Sequence, residues 1–407
     1  MWRVALWALI AGCYDPTIVA GVPCSERGTC PGGQICDVDT HVCGRSSVDA
    51  SVDGNPVDGS PDGPACGPHQ DLVGSLCVTR IEPVGPTPIG APGCSTGDAN
   101  VTHAVGLDRS RRIYVGFTCG ATGDGTVVVS TDSARSTALP HVIGTGVTAI
   151  AVAGGPPGVG YAATTGSQGI SVAVTQDGGA SWATQALDTL VSSSNFGVAV
   201  AAVNDTVYVA AQVGPGIRVW RNANRGLGAF QVTDVTLSIV FADMVVDPQT
   251  GAVWVVGDSP SLHLRKSSDG GATFDPEIAP APAGTYNYSD WTLGGGAIFV
   301  TGSTQTTFTR VPTATPTTST TPGTMLPAVV TRGRAIAATP DEAVLIANQP
   351  STNALTLQRF APGATTGTSM PLGTGTHPSI LPGPGTSAIY VFTDAATNQL
   401  QLGVVAF

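Results

Sequence analysis

"TQDGGASW" occupies residues 175–182, and a near copy, "SSDGGATF", occupies residues 267–274. Each is a short polar turn that ends on an aromatic ring. The shared parts have separate physical jobs. Asp177 and Asp269 can accept hydrogen bonds from the backbone of their own turns. Gly179 and Gly271 supply a positive φ that other residues resist. Trp182 and Phe274 can bury a ring against neighbouring structure, which for a Phe-sized side chain is worth about 1.5–3 kcal/mol. A loop kept whole at two distant positions points to an internal repeat.

The repeat is visible in the strands around these turns. A short apolar run recurs as "IYVGF" (113), "VGYAA" (159), "VYVAA" (207), "VWVVG" (253), "IFVTG" (298), "VLIAN" (344) and "IYVFT" (389). The starts lie 45 to 48 residues apart. Each run is followed by a turn and a second alternating run, such as "TVVVST" (126), "ISVAVT" (170) or "LHLRKSS" (262). Each is preceded by another, such as "VTAIAVA" (147–153) or "ADMVVD" (242–247). Runs this short, rich in Val and Ile and bounded by Gly, Pro and Asp, read as strands. No segment carries a 3.6-residue apolar stripe, so the chain reads as all-β. Units of ~40–50 residues holding four strands predict a β-propeller. Seven copies predict seven four-stranded blades. The chain stops after the third strand of the last unit, so "SLCVTRIEPV" (75–84) is expected to complete that blade and close the ring, leaving no exposed edge.

The pattern Ser/Thr-x-Asp-x-Gly-x-x-Trp/Phe resembles the Asp-box, or bacterial neuraminidase repeat, of sialidases, sortilin-type receptors and photosystem-assembly propellers. The stretch "MVVDPQTGAVWVVG…LRKSSDGGATF" (244–274) is similar to that repeat along most of its length, and "STDSARST" (130–137) and "RNANRGLGAF" (221–230) read as eroded copies. The resemblance implies a structural box at Asp177, Gly179, Trp182, Asp269, Gly271 and Phe274, away from the face where propellers bind.

The N-terminus gives an address. "MWRVALWALIAGC" (1–13) has one Arg, an apolar run and then Ile-Ala-Gly-Cys. This resembles the lipobox of bacterial lipoproteins, and implies a signal peptide over 1–12 and a lipid anchor on Cys13. Several acyl chains, at ~0.8 kcal/mol per buried CH₂, would hold the chain to a membrane. The implied location is extracytoplasmic, at a bacterial outer membrane or cell surface. The other eight cysteines are Cys24, Cys30, Cys36, Cys43, Cys66, Cys77, Cys94 and Cys119, an even number suited to an oxidising compartment.

Residues 13–43 carry four of these cysteines in too short a stretch to bury a core, and predict a disulfide module. Three pairings are open, with Cys24–Cys36 and Cys30–Cys43 favoured. Zinc is the rival reading, but spacings of five, five and six intervening residues contain no Cys-x₂-Cys knuckle. Residues 44–65 hold Asp49, Asp53, Asp58, Asp62 and three prolines without an aromatic, and read as a flexible linker. Calcium is the rival there, but its loops want ligands at alternate positions, not four or five apart. Residues 66–407 are then the propeller, its entry braced by Cys66–Cys77 and Cys94–Cys119.

Sixteen arginines and a single lysine, Lys266, stand against 28 acids, a net charge of −11. That field repels phosphate backbones and argues against a nucleic-acid partner. The six histidines are scattered with no His-x-x-x-His, so neither a metal nor a cofactor is expected. Sialidase chemistry, which the resemblance raises, needs an arginine triad and a tyrosine–glutamate nucleophile. The chain lacks the Phe/Tyr-Arg-Ile-Pro motif, its four glutamates (Glu26, Glu82, Glu277, Glu342) fall outside the expected inner strands, and Arg332 and Arg334 alone do not make a triad. The reading is therefore a monomeric binding propeller without catalysis, for a protein or glycan. The alternative is a glycosidase with an unrecognised site. "TYNYSDW" (285–291) offers the most ligand-like loop, with Tyr286, Asn287, Tyr288 and Asp290. Trp291 aligns with Met244 and reads as core.

Overall fold

The computed structural model describes residues 35–37, 42–44, 70–73, 76–89, 103–119, 123–138, 140–190, 197–214, 216–236, 240–258, 261–281, 290–301, 307–325, 333–349 and 352–407. Two compact units divide the chain: Met1–Ala65 with Leu72–Leu76, and Cys66–Asp71 with Cys77–Phe407. In the first, Ile35–Asp37 pairs antiparallel with Val42–Gly44, which sets Cys36 opposite Cys43. Cys13, Cys24 and Cys30, with the expected signal peptide over 1–12 and residues 45–65 of the expected linker, lie outside the described residues.

The second unit is built of antiparallel sheets in sequence order, with no helix among the described residues. The first sheet runs His103–Leu107, Ile113–Cys119, Asp124–Ser130, His141–Gly144. The second runs Val147–Gly154, Gly160–Gly166, Gly169–Thr175, Ala183–Asp188, and the third Val198–Val203, Thr206–Val213, Gly216–Asn222, Gln231–Val235. The fourth has three strands, Val240–Val246, Val253–Asp258 and His263–Ser267, and a lone bridge, Leu264 to Ile278, stands where a fourth strand was expected. The fifth runs Asp290–Gly294, Ala297–Thr301, Thr307–Pro312, Thr320–Thr324.

The remaining strands form one continuous sheet, because Thr368–Pro382 serves twice. Its first half pairs with Ala354–Phe360 and completes the group begun by Gly333–Ala338 and Val344–Gln349. Its second half pairs with Ser387–Asp394 and opens the last group, which continues through Leu400–Ala406.

The second strand of each group is buried on both faces, which is why those runs are continuously apolar rather than alternating. Their two faces feed different cores. Val207 and Val209 pack with Tyr161 and Val172 of the preceding group, whereas Tyr208 and Ala210 pack with Val253 and Val255 of the next. Such an apolar cluster lies between every pair of neighbouring groups. Another joins Ile389, Val391 and Leu402 of the last group to Ile113, Val115 and Val128 of the first. The first strands likewise adjoin one another in order, and Thr368–Pro382 returns to His103–Leu107. The sheets therefore stand in a closed ring, a β-propeller. The inner strands come so near that a Cβ on Gly154 would lie 2.1 Å from the Leu107 carbonyl carbon.

The strand that completes the last group is Val84–Pro88, not 75–84. Val404 faces Val84, Leu402 faces Thr87 and Gln401 faces Pro88, while Leu76–Thr79 is a separate strand outside this sheet. The physical reason is the edge position. "VGPTP" looks unlike a strand because Pro86 and Pro88 lack N–H groups, but an outermost strand needs donors on one side only. Those prolines also blunt the edge against further pairing.

Candidate functional site

The turns after the third strands come first, because they show what is structural. Asp177 accepts the Ser181 N–H (2.9 Å) and the Ser181 and Thr175 hydroxyls (2.6 and 2.8 Å), and the Gly179 N–H donates to Thr175 Oγ1 (2.8 Å). Asp269 repeats this with Thr273 (N–H 2.9 Å, hydroxyl 2.6 Å), Ser267 (2.7 Å) and the Gly271 N–H on Ser267 Oγ (2.7 Å). These bonds hold both carboxyls well below the usual carboxylate range. The same net recurs at Asp132 with Ser130, Ser136 and the Ala134 N–H. In the third sheet Asn222 takes the hydroxyl's place and accepts the Gly226 N–H (3.0 Å). Gly178 and Gly179 carry φ of 73° and 93°, Gly270 and Gly271 69° and 89°. Trp182 packs edge-on to Tyr114 (centroids 6.1 Å apart) and against the core between the first and second sheets, and Phe274 against the core between the third and fourth. Each ring thus ties its own sheet to the preceding one.

The inner strands carry the chemistry that polar ligands need. Asp243 and Asp290 occupy equivalent places on the first strands of the fourth and fifth sheets. Met244 turns into the core with the third sheet, and Trp291 into the core with the fourth, as expected for Trp291. Alternation then turns both carboxyls forward, toward the next sheet. The register shifts by a bulge between Phe241 and Asp243, just before the latter. Asp290 Oδ2 accepts the Ile336 N–H (2.7 Å), and Thr292 Oγ1 accepts the Ala338 N–H (3.2 Å). These donors lie on the inner edge of the sixth group, where no strand follows to receive them. Desolvation raises Asp243 to about 7, and the charge of Asp290 beside it adds to the effect. Desolvation likewise raises Asp290 to about 6, against the hydrogen bonds from Ile336 and Trp291. Both residues keep part of their surface accessible. Two carboxyls both drawn toward the protonated form offer donors as well as acceptors in one place.

A second group lies at the end of the fourth sheet where its first strand enters. Ser261 Oγ is 2.8 Å from His263 Nε2, and His263 Nδ1 meets Glu277 Oε1. Sequence reading missed both Asp243 and this trio. The alternation Ser-Leu-His-Leu was the available signal for Ser261 and His263, since Leu262 and Leu264 are core. Glu277 is brought in only by the lone bridge at Ile278.

Of the ligand residues expected from sequence, Asp290 is placed as above, and Tyr286, Asn287 and Tyr288 lie outside the described residues. Arg334 is paired through its backbone to Asn348, and Arg332 lies outside. Cys77 and Cys119 are disulfide-bonded, and their expected partners Cys66 and Cys94 lie outside. Among the described residues, no cluster of His, Cys, Asp and Glu could hold a metal, and no helix is long and apolar enough to cross a membrane.

No protein-family model matches this chain, and no curated protein does. Solved structures do. A chain of the mitotic checkpoint complex is similar over 83% of this chain and 99% of its own, with a TM-score of 0.54 at 10% identity. YCF48 bound to D1 peptide is similar over 80% of this chain and 99% of its own, with a TM-score of 0.50 at 14% identity. The Hadza microbial sialidase Hz136 matches 76% of this chain and 66% of its own, with a TM-score of 0.47 at 11% identity. At these identities the likeness is one of fold.

Proposed function

We propose that this chain is a seven-bladed Asp-box β-propeller that binds a glycan over the inner ends of its fourth and fifth blades. The lipid on Cys13 holds it outside the cytoplasm, at a bacterial outer membrane or cell surface, as a monomer. A disulfide module over 13–43 and the linker 44–65 separate anchor from propeller. The seven-blade reading is supported by the regular repeat and by the apolar clusters that run unbroken around the ring.

The observation that carries the binding site is the Asp243–Asp290 pair. Two carboxyls held on the inner strands and both drawn toward the protonated form match the mixed donor and acceptor character of sugar hydroxyls. Tyr286, Asn287 and Tyr288 lie two to four residues before Asp290 in the chain and would add aromatic faces and an amide. The test is a glycan array followed by calorimetry on the intact protein. Asp290→Asn and Asp243→Asn should each weaken the glycan found by at least tenfold. Binding unaffected by both, or a protein ligand in place of any glycan, would overturn the glycan reading.

The same pair favours a second reading, glycoside hydrolysis. Two neighbouring carboxyls, both held toward the protonated form by desolvation, are groups that acid-base cleavage of a glycosidic bond can use. A hydrolysis screen on the array's hits decides it: turnover lost in Asp243→Asn supports cleavage, and binding without turnover supports the lectin-like reading. For the anchor, Cys13→Ser should release the protein from the membrane fraction. Unchanged partitioning would remove lipidation from the account.

A further inference from the structure

Ser261, His263 and Glu277 stand apart from the carboxylate pair, and neither binding nor glycoside cleavage uses them. Their arrangement follows from strand geometry. Leu262 and Leu264 are buried toward the fifth sheet, so Ser261 and His263 share the opposite face. The Leu264–Ile278 bridge, closed by two 2.8 Å backbone hydrogen bonds, puts Glu277 on that face too.

An ionised carboxylate can only accept, so Glu277 fixes the imidazole proton on Nδ1. The Nε2 lone pair then points at Ser261 Oγ, 2.8 Å away. Hydroxyl, imidazole and carboxylate in that order are the parts of an activated nucleophile. The histidine and glutamate side chains retain 19% and 18% of their surface, and Ser261 is partly exposed, so the trio is held in place yet open to a substrate.

We propose that Ser261 is the nucleophile of an acyl-transfer activity toward carboxylic esters. Ser261 Oγ attacks the ester carbonyl carbon while its proton passes to His263 Nε2. The ester C–O bond breaks, and the alcohol leaves with that proton, so the acyl group rests on Ser261. Water, deprotonated by the same nitrogen, then attacks the acyl-serine; the acid leaves and Oγ regains its proton. Nothing is oxidised or reduced. Ser261 and His263 are the catalytic residues, and Glu277 is a positioning residue.

The full-length protein is treated with a fluorophosphonate probe, and in parallel with p-nitrophenyl acetate, and its peptides are mapped by mass spectrometry. The phosphonyl and acetyl groups should appear on Ser261 and be absent in Ser261→Ala. His263→Ala and His263→Gln should slow labelling by about 10²-fold or more with the melting temperature unchanged. Glu277→Gln should slow it and displace its pH profile, which a merely structural glutamate would not do. Glycan binding should survive Ser261→Ala, so failure of this activity and failure of the glycan site are separable. An unlabelled Ser261 in the folded protein, or labelling at the same rate in both His263 variants, would overturn the proposal.

Discussion

Gly179 shows how much of the fold rests on single residues. Its φ is 93°, and a Cβ there would sit 2.4 Å from Val129 Cγ2 of the first sheet. Gly179→Ala should therefore lose at least the ~1–2 kcal/mol of a left-handed non-glycine residue, readable as a lower urea midpoint. Trp182→Ala removes a half-buried ring that joins two sheets, and should lose about 2–3 kcal/mol, under the ~3–5 of a fully buried one. The carboxyls act in opposite directions with pH. Asp243 has its folded pKa raised from 3.8 to about 7, so its contribution is present below the unfolded value and lost as pH rises through 7. Asp177 and Asp269 are lowered, so theirs is present above the unfolded value and lost as pH falls below it. Melting temperatures at pH 5 and pH 8 should show a loss at the higher pH that Asp243→Asn makes smaller, the raised carboxyl of Asp290 supplying the rest. Equal losses in the two proteins would rule that carboxyl out as the cause.

Among the elements, the turn of the first sheet is the most instructive. Ser133 and Ala134 hold φ of 61° and 69° where the turns at 175–182 and 267–274 have Gly-Gly. The reason lies in the segment before Val84. Ser133 Oγ donates to the Glu82 carbonyl (2.8 Å) and accepts the Glu82 N–H (2.7 Å), and Arg135 pairs with the Glu82 carboxylate. A copy that reads as eroded is thus adapted to grip the strand that completes the last sheet. Ser133→Ala keeps the strained backbone and loses both bonds, so it should cost about 1–2 kcal/mol, seen in the same urea titration. This contact was not legible in the sequence, because nothing local in "STDSARST" refers to residues 51 positions away. The turns at 175–182 and 267–274 were legible, since their bonds close within four residues. The same distinction separates Ser261 and His263, two residues apart at the start of one strand, from Glu277, which a single bridge brings to them.

For the whole molecule, the repeat in the second strands was enough to anticipate a ring, because those strands must be apolar on both faces to feed two cores. The closing strand was placed too early, because its prolines hide it from any search for Val and Ile. Its site on the outer edge makes those prolines admissible. The inner carboxyls were half visible: Asp290 by its aromatic neighbours, Asp243 only once the equivalent strands stood side by side.

Closure is the claim on which the rest stands, and residue-resolved amide exchange on Leu400–Ala406 tests it most directly. A strand flanked by both Ser387–Asp394 and Val84–Pro88 has its amides bonded on each side. The account predicts unbroken slow exchange through the residues from Gln401 to Val404. Alternate fast amides there would mean an open edge, and would contradict a ring whose last sheet is completed by Val84–Pro88.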